Sequence, residues 1–225
     1  YADIIAEVIV VDNNSTDKTV EIAKRLGAKV IVEKKQGSAA ARNAGMKAAE
    51  NEWFAFLDSD DTWNPHKIEL QMKAAEVFAG ASFITCEYQR IYTNDNKTER
   101  NPALREILPR FEQFVSHGDL YGFCDNIDFS LYQHLYLRTS ATMIHKRILE
   151  ELGFFDENLK VIEDIEFYLR IMKSSSVAIV LDVLVDYVKH SSNISNDYDH
   201  HITQVVRNLE KIARFPDNYI DGSEA

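Results

Sequence analysis

The sequence predicts an α/β fold in which helices cover both faces of a mainly parallel sheet. Short runs rich in β-branched residues, such as EVIVV at 7–11 and KVIVE at 29–33, are typical of buried parallel strands. Helical patterns alternate with such runs in the order β-α-β-α-β-α-β, which indicates a parallel sheet. Hydrophobic residues make up 45% of the 225 residues, enough for a sizeable core.

The strands and helices of the first part are bounded by turn and capping residues. The strands predicted after EVIVV are KVIVE, WFAFLD and ASFITCEYQRIY, at 29–33, 53–58 and 81–92. The helices predicted between them cover 17–26, 39–50 and 65–78. Ser15 or Thr16 can cap the first of these helices and Gly27 can end it. Pro65 suits the first position of the third.

The second part of the chain is less regular. Between 104 and 136 the sequence is rich in aromatic residues and predicts no definite strand. The elements predicted beyond it are a strand at 139–146, helices at 147–153 and 163–174, one long or two short strands at 177–190, and a helix at 197–214. One domain is therefore expected over 1–196, with halves 1–100 and 101–196, followed by a C-terminal helix and tail at 197–225.

Composition and charge argue against some functions. The formal net charge is −11 and no basic stripe offsets it, which argues against nucleic acid as a partner. Cys86 and Cys124 are far apart and do not form a metal-binding pair, so we expect two reduced, buried thiols in a cytoplasmic protein. No apolar run approaches the ~20 residues of a membrane span.

An apolar run, FAFL at 54–57, leads directly into Asp58, Asp60 and Asp61. Carboxylates this close repel one another unless water reaches them or a cation lies between them. One interpretation is a solvated loop that caps the next helix. The other is a site for Mg²⁺ or Mn²⁺, whose remaining ligands come from water and from the phosphates of a ligand. Asp12 also ends a predicted strand, and ligands of parallel sheets bind beyond such strand ends.

The same stretch permits a phosphatase. DSDDT after an apolar strand fits the D-x-D-x-T pattern of haloacid-dehalogenase-like phosphatases, in which the first Asp is a nucleophile and the second an acid/base. The pattern alone is weak evidence, because it usually lies on the first strand of the domain, whereas at least two strands precede it here. It also gives no role to the other motifs.

Five blocks of the sequence are informative together. They are VIVVDNNSTDKTVEIA, GSAAARNAGMKAA, WFAFLDSDD, ELGFFDENLKVIEDIEFYLR and YVKHSSNIS. In this order they resemble the family 2 glycosyltransferases of GT-A fold. The resemblance implies an inverting enzyme that moves a sugar from a nucleotide-diphosphate sugar to an acceptor hydroxyl, in bacterial cell-surface polysaccharide or glycolipid synthesis. Residues 1–100 would bind the nucleotide, and 101–196 would bind the acceptor and hold the catalytic base. The sequence lacks the Q-x-x-R-W motif of processive synthases, which favours transfer of a single sugar.

The resemblance also assigns residues to the donor site. Asp12 would contact the nucleotide base or ribose, and Asp58 would lie toward the ribose. Arg42, in the ARN block with Asn43, would offset phosphate charge or stack on a base. Asp61 is left with three alternatives, which are to bind the metal through water, to contact the donor sugar or to cap a helix.

The metal and the catalytic base are assigned in the same way. Asp60 would be a direct ligand of Mg²⁺ or Mn²⁺, and His190 would complete the metal shell or contact the diphosphate. Asp164, in the pair Glu163-Asp164, would be the general base, since a helix N-terminus keeps its carboxylate ionised. Glu163 is grouped with the nucleotide-sugar-binding residues. From position alone, the pair could simply complement the helix dipole.

The acceptor side has no shared block. It is expected within 103–137, where Phe123, Tyr132 and Tyr136 could stack on sugar faces or form ordinary core. The acceptor would be a sugar or a lipid-linked molecule, and the latter implies peripheral contact at the inner face of the membrane. The tail helix could pack on the domain or pair in a homodimer. Roughly one β-α unit of the family is expected to be absent at the start, so a truncated domain that binds a sugar nucleotide without turnover is a further alternative.

Overall fold

The computed structural model describes residues 5–94, 97–100, 104–112, 114–118, 120–124, 137–159 and 162–190. Its strands are β1 (Ile9–Asp12), β2 (Lys29–Val32), β3 (Trp53–Ala55), β4 (Thr62–Trp63), β5 (Phe83–Tyr92), β6 (Lys97–Arg100), β7 (Phe114–His117), β8 (Tyr121–Cys124), β9 (Met143–His145) and β10 (Val177–Lys189). Its α-helices are α1 (Thr19–Arg25), α2 (Ser38–Ala48), α3 (Lys67–Val77), α4 (Leu104–Ile107), α5 (Arg147–Leu152) and α6 (Glu163–Ser174). Short 3₁₀ turns cover Leu108–Arg110 and Thr139–Ala141.

Most of these strands belong to one mixed sheet. Its order is β3-β9-β5-β10-β8-β7, with β4 paired to β10 and β6 to β5. β1 and β2 pair in parallel in a separate two-stranded sheet. β5 and β10 are also parallel, whereas β9 is antiparallel to both β3 and β5, and β8 is antiparallel to both β7 and β10. The predicted α/β class is confirmed. Among the described strands only β1–β2 and β5–β10 pair in parallel, so the pairing is less parallel than the sequence predicts. The antiparallel pairs include β3–β9 and β8–β10, whose strands are far apart in the sequence.

The helices lie close to their predicted positions. α6 covers the predicted 163–174, with acidic residues in its first turn. α1 ends before Gly27, whose φ of +82° is the left-handed conformation that ends many helices. The predicted cap of α1 is wrong, because the carboxylate of Asp17 accepts a 2.9 Å bond from the N–H of Thr19 instead. Pro65 is also misplaced, since it lies in the turn before α3.

Two apolar clusters lie on opposite faces of the large sheet. Alternation along the strands places Phe83 and Ile144 in the first cluster and Ile84 and Met143 in the second. The first cluster includes side chains of α2, α5 and α6, and the second includes side chains of α3. Helices therefore cover both faces of the sheet, as predicted.

Both cysteines are free thiols in the apolar interior. Cys86 and Cys124 are buried, and burial raises the pKa of each thiol to about 12. The expectation of two unpaired, buried thiols is confirmed. Among the described residues, no helix has the length and apolar character needed to cross a membrane.

Of the three aromatic residues named for the predicted acceptor side, Phe123 lies among the described residues. Phe123 on β8 stacks on Phe78, with 5.1 Å between ring centroids, so it packs as a core residue on that side. Tyr132, Tyr136 and the helix predicted at 197–214 lie outside the described residues.

Candidate active site

Arg42 joins three elements of the fold. It lies on α2, and its Nη1 donates a 2.8 Å hydrogen bond to Oε1 of Glu163, the first residue of α6. Its Nη2 donates a 3.0 Å bond to Oδ1 of Asp58, which follows β3. Ser38 Oγ donates to the same Glu163 oxygen. The side chains of Arg42 and Glu163 are only 12% and 8% exposed, whereas that of Asp58 is 43% exposed, so Asp58 is the open end of this cluster.

The charge of Arg42 is balanced inside the protein. Burial alone would lower the pKa of its guanidinium, but Asp58 and other nearby acidic groups, including Asp164 and Glu163, raise it. The sequence predicted that Arg42 would offset phosphate charge, and the structure shows that it first neutralises two carboxylates. Glu163, grouped with the ligand-binding residues, is buried and bonded to Arg42 and Ser38.

Ser140 connects residues 58–61, which we call the acidic loop, to the large sheet, and no feature of the sequence indicates this role. Its Oγ donates a 2.6 Å bond to Oδ2 of Asp61 and accepts a 3.0 Å bond from the N–H of Asp58. The other Asp61 oxygen accepts from the N–H of Val188 on β10, at 3.1 Å. Asp61 is 8% exposed, and burial raises its pKa to about 6. These contacts give Asp61 a structural role that was not among its predicted alternatives.

Asp60 and His190 lie next to each other, as their predicted joint role requires. Oδ2 of Asp60 is 3.1 Å from Nε2 of His190, and the side chains are 34% and 30% exposed. The contact joins the acidic loop to the residue that follows β10, and about a third of each side chain is exposed. Within the described part of the chain, no group of three or more His, Cys, Asp or Glu residues could hold a metal ion.

The N-terminus of α6 has an unusual backbone conformation. Ile162, immediately before the helix, has φ 66° and ψ 10°. A β-branched side chain in this left-handed region is strained, and such strain is found preferentially at functional sites. Asp164 is the second residue of the helix, and its Oδ1 accepts a 2.8 Å bond from the N–H of Ile165. The strained residue thus comes two positions before the predicted base, with Glu163 between them.

Asp12 stabilises the turn that follows β1. It is 7% exposed, and its Oδ1 accepts a 3.1 Å bond from the N–H of Ser15. The next residue, Asn13, donates to the carbonyls of Glu33 and Lys35, both at 2.8 Å, and so ties this turn to the end of β2. No hydrogen bond among the described residues joins Asp12 to the Arg42 cluster.

Asn43 connects α2 to the segment before α6. Its Nδ2 donates to the carbonyl of Phe155 at 2.9 Å, and its Oδ1 accepts from the N–H of the same residue at 3.1 Å. Asn43 is 2% exposed, so it fixes the backbone of this segment and does not face a ligand. The Phe155 ring lies 5.6 Å from the Arg42 guanidinium carbon.

Several bacterial proteins resemble this chain. An uncharacterised glycosyltransferase of Rickettsia typhi is 29% identical over 195 residues, which covers 84% of this chain and 57% of that protein. An uncharacterised glycosyltransferase of Nostoc sp. is 40% identical over 114 residues, covering 45% of this chain and 34% of that protein. The chain thus spans about half the length, or less, of these two curated relatives.

The fold is also found in solved structures. TarS 1–349 from S. aureus, crystallised in complex with UDP-GlcNAc, is similar with a TM-score of 0.66 at 18% identity, covering 89% of this chain and 56% of that one. A second structure of TarS 1–349 gives a TM-score of 0.64. These matches confirm the predicted GT-A fold. The model of the family described as "Glycosyl transferase family 2" matches residues 4–152, more than half of the sequence. This chain therefore belongs to glycosyl transferase family 2.

Proposed function

We propose that this protein is an inverting, metal-assisted glycosyltransferase that moves a single sugar from a nucleotide-diphosphate sugar to an acceptor hydroxyl. The observation that supports this most is the convergence of residues from separate parts of the sequence. Arg42 bonds to Asp58 and also to Glu163, which is 121 positions from Arg42 in the sequence. Asp60 contacts His190, which is 130 positions from it. The bacterial sources of the relatives favour a role in cell-surface polysaccharide or glycolipid synthesis.

Asp164 is the proposed general base. Inversion requires a carboxylate that takes the proton of the attacking hydroxyl as the new C–O bond forms and the bond to the leaving diphosphate breaks. Asp164 lies in the first turn of α6, as its second residue. The bonds from Arg42 and Ser38 to Glu163 fix the first residue of this helix, and so position the base.

Asp60 and His190 fit a divalent cation. Together with the donor diphosphate, Asp60 and His190 would hold the cation through a carboxylate oxygen and an imidazole nitrogen, which lie 3.1 Å apart. The cation would be Mg²⁺ or Mn²⁺. When bound, the cation would stabilise the charge that develops on the leaving diphosphate. Ser140 and Asp61 hold the loop in which Asp60 lies.

The proposed donor is a uridine-diphosphate sugar, since TarS was crystallised with UDP-GlcNAc. Asp58, with its exposed carboxylate, is the proposed ribose contact. Asp12 is the proposed contact to the base or ribose at the end of β1. The acceptor would be a sugar or a lipid-linked molecule.

The test is turnover of nucleotide sugars. Purified protein is incubated with Mn²⁺ and UDP-GlcNAc, UDP-glucose, GDP-mannose or dTDP-rhamnose. With no added acceptor, water takes the place of the acceptor hydroxyl, and hydrolytic release of the nucleotide diphosphate is measured. We expect release from one donor, reduced at least about 100-fold by Asp164→Asn, with donor affinity retained. Glu151→Gln, at an exposed acid on α5, is the charge-matched control and should leave turnover unchanged.

Two other outcomes would contradict the proposal. Donor binding without turnover of any sugar nucleotide would indicate a non-catalytic binding domain. Release of phosphate from p-nitrophenyl phosphate, lost in Asp58→Asn and without turnover of the nucleotide sugars, would indicate the phosphatase alternative.

A further inference from the structure

A cluster of cations and tyrosines lies on one face of the paired strands β5 and β10. We call Tyr88, Arg90, Arg138, Tyr187 and Lys189 the basic cluster. The parallel register places Arg90 beside Tyr187, with Tyr88 two residues before Arg90 and Lys189 two residues after Tyr187. Because side chains alternate between the faces of a sheet, these four share one face. Arg138 packs over them, with its guanidinium carbon 4.9 Å from the Tyr187 ring centroid and 5.6 Å from that of Tyr88.

Two cations of the basic cluster, Arg90 and Arg138, are not paired with carboxylates in the way that Arg42 is. Arg42 has two carboxylate partners. In contrast, neither Arg90 nor Arg138 forms a salt bridge with a carboxylate of the described residues. Arg90 is bonded to the hydroxyl of Tyr88, at 3.3 Å. Glu99 lies opposite Arg90 on β6, so its carboxylate offsets part of the charge of Arg90. Stacking on tyrosine rings stabilises the Arg138 guanidinium only partly.

One buried donor of the cluster has no partner. Nε of Arg138 is inaccessible to solvent and makes no hydrogen bond. A ring stacked above the guanidinium plane cannot satisfy this N–H, because the bond points outward in that plane. Leaving a buried donor without an acceptor is energetically unfavourable. An anion that accepts from Nε and a neighbouring N–H of Arg138 would remove this cost, since two parallel bonds are how arginine binds phosphate and carboxylate.

The basic cluster lies beside both ends of the proposed reaction site. Lys189 precedes His190, and Arg138 precedes the 3₁₀ turn in which Ser140 holds the acidic loop. Burial would lower the pKa of Arg138, but Tyr88, Tyr187 and the carboxylate of Asp164 raise it, so the proposed base is within electrostatic reach.

We infer that the basic cluster binds a phosphate or carboxylate group of the acceptor, so that the acceptor is an anionic molecule. This inference rests on the proposed function, in which the cation at Asp60 and His190 already binds the donor diphosphate. A second anion, bound beside Asp164, is then the acceptor's. Arg138 is the principal contact, with Arg90 and Lys189 adding charge.

The test uses inorganic phosphate as the probe. Calorimetric titration is carried out on the whole chain, with the donor site filled by UDP and Mn²⁺ and also without them. We expect phosphate to bind with and without UDP and Mn²⁺. Arg138→Gln should weaken the affinity for phosphate at least tenfold without changing the affinity for UDP and Mn²⁺. Arg25→Gln, at an exposed position on α1, removes the same charge and should change neither. Arg90→Gln is a second variant, which should weaken the affinity for phosphate several-fold. It tests the same site if Arg138→Gln fails to fold.

The outcomes separate the possible sources of the anion. If UDP and Mn²⁺ displace phosphate, or if Arg138→Gln weakens both alike, the basic cluster binds the donor diphosphate and the inference is overturned. Absence of phosphate binding, or binding that neither variant weakens more than Arg25→Gln does, also overturns it. If UDP does not bind at all, the proposed function fails, while the titration without UDP still decides whether the basic cluster is an anion site.

Discussion

Removing the guanidinium of Arg42 should destabilise the fold as well as the site. In Arg42→Met, the carboxylate of Glu163 loses its ion-pair partner in a position where its side chain is 8% exposed, and among the described residues only the hydroxyl of Ser38 still donates to it. Breaking a buried ion pair by removing one partner costs about 3–5 kcal/mol. The Asp58 half of the interaction adds less than about 1 kcal/mol, because that carboxylate is 43% exposed. Since the Ser38 bond remains, we expect a loss of about 3 kcal/mol.

The assay is urea unfolding followed by circular dichroism, in which the midpoint should fall while the slope with denaturant stays constant. Glu163→Gln and the double variant complete a double-mutant cycle. Adding Glu163→Gln to Arg42→Met removes the unpaired charge, so the double variant should be at least about 1 kcal/mol more stable than the sum of the single losses predicts. A loss below about 1 kcal/mol for Arg42→Met, or strict additivity in the cycle, would refute the reasoning.

Three further predictions concern other contacts of the structure. Ser140→Ala leaves an oxygen of Asp61 and the N–H of Asp58 without their partner, so it should cost about 1–3 kcal/mol; an unchanged urea midpoint would count against this. Burial lowers the pKa of Lys67 from 10.5 to about 8. Below pH 8 the amine is charged in both the folded and the unfolded state, and the folded state bears the cost of burying that charge. Between pH 8 and 10.5 the amine is neutral in the folded state but still charged in the unfolded state, so stability rises with pH. Wild type should therefore gain up to about 3 kcal/mol relative to Lys67→Met as pH rises through this window, and urea unfolding at pH 7, 9 and 10 that shows a constant difference would contradict it. His190→Ala should weaken Mn²⁺-dependent binding of UDP about tenfold in calorimetry, and full affinity would exclude His190 from the metal site.

The sequence predicts the helices well where local patterns agree. α6 lies at 163–174 because its apolar spacing, acidic first turn and the polar residues after it all indicate the same bounds. The sequence does not predict β7 and β8. The apolar and aromatic residues of this region match neither the helical period of about 3.6 residues nor the strand period of about 2, and the pairing of these strands depends on tertiary contacts. Pro65 was misplaced because its fixed φ also suits the turn before a helix.

The sequence predicts which residues belong to the site, but it does not predict the hydrogen bonds that join them. The resemblance named Arg42 and Glu163, yet nothing local shows that they bond to each other across 121 positions. The buried position of Asp61 follows from contacts with Ser140 and Val188, which come from distant parts of the chain. Ser140 has no recognisable signal, since a single serine next to a strand is common and its hydroxyl gains meaning only from its neighbours.

The central claim is that Asp60 contributes to a cation site that binds a nucleotide diphosphate. The most direct measurement is calorimetric titration of UDP, GDP, dTDP and CDP, with and without Mn²⁺, on wild type, Asp60→Ala and the control Glu76→Ala, at an exposed acid on α3. We predict that one nucleotide binds only with Mn²⁺, that Asp60→Ala abolishes this binding and that Glu76→Ala retains it. Binding that is equal without metal and unaffected by Asp60→Ala, or no binding of any of the four nucleotides, would contradict the claim.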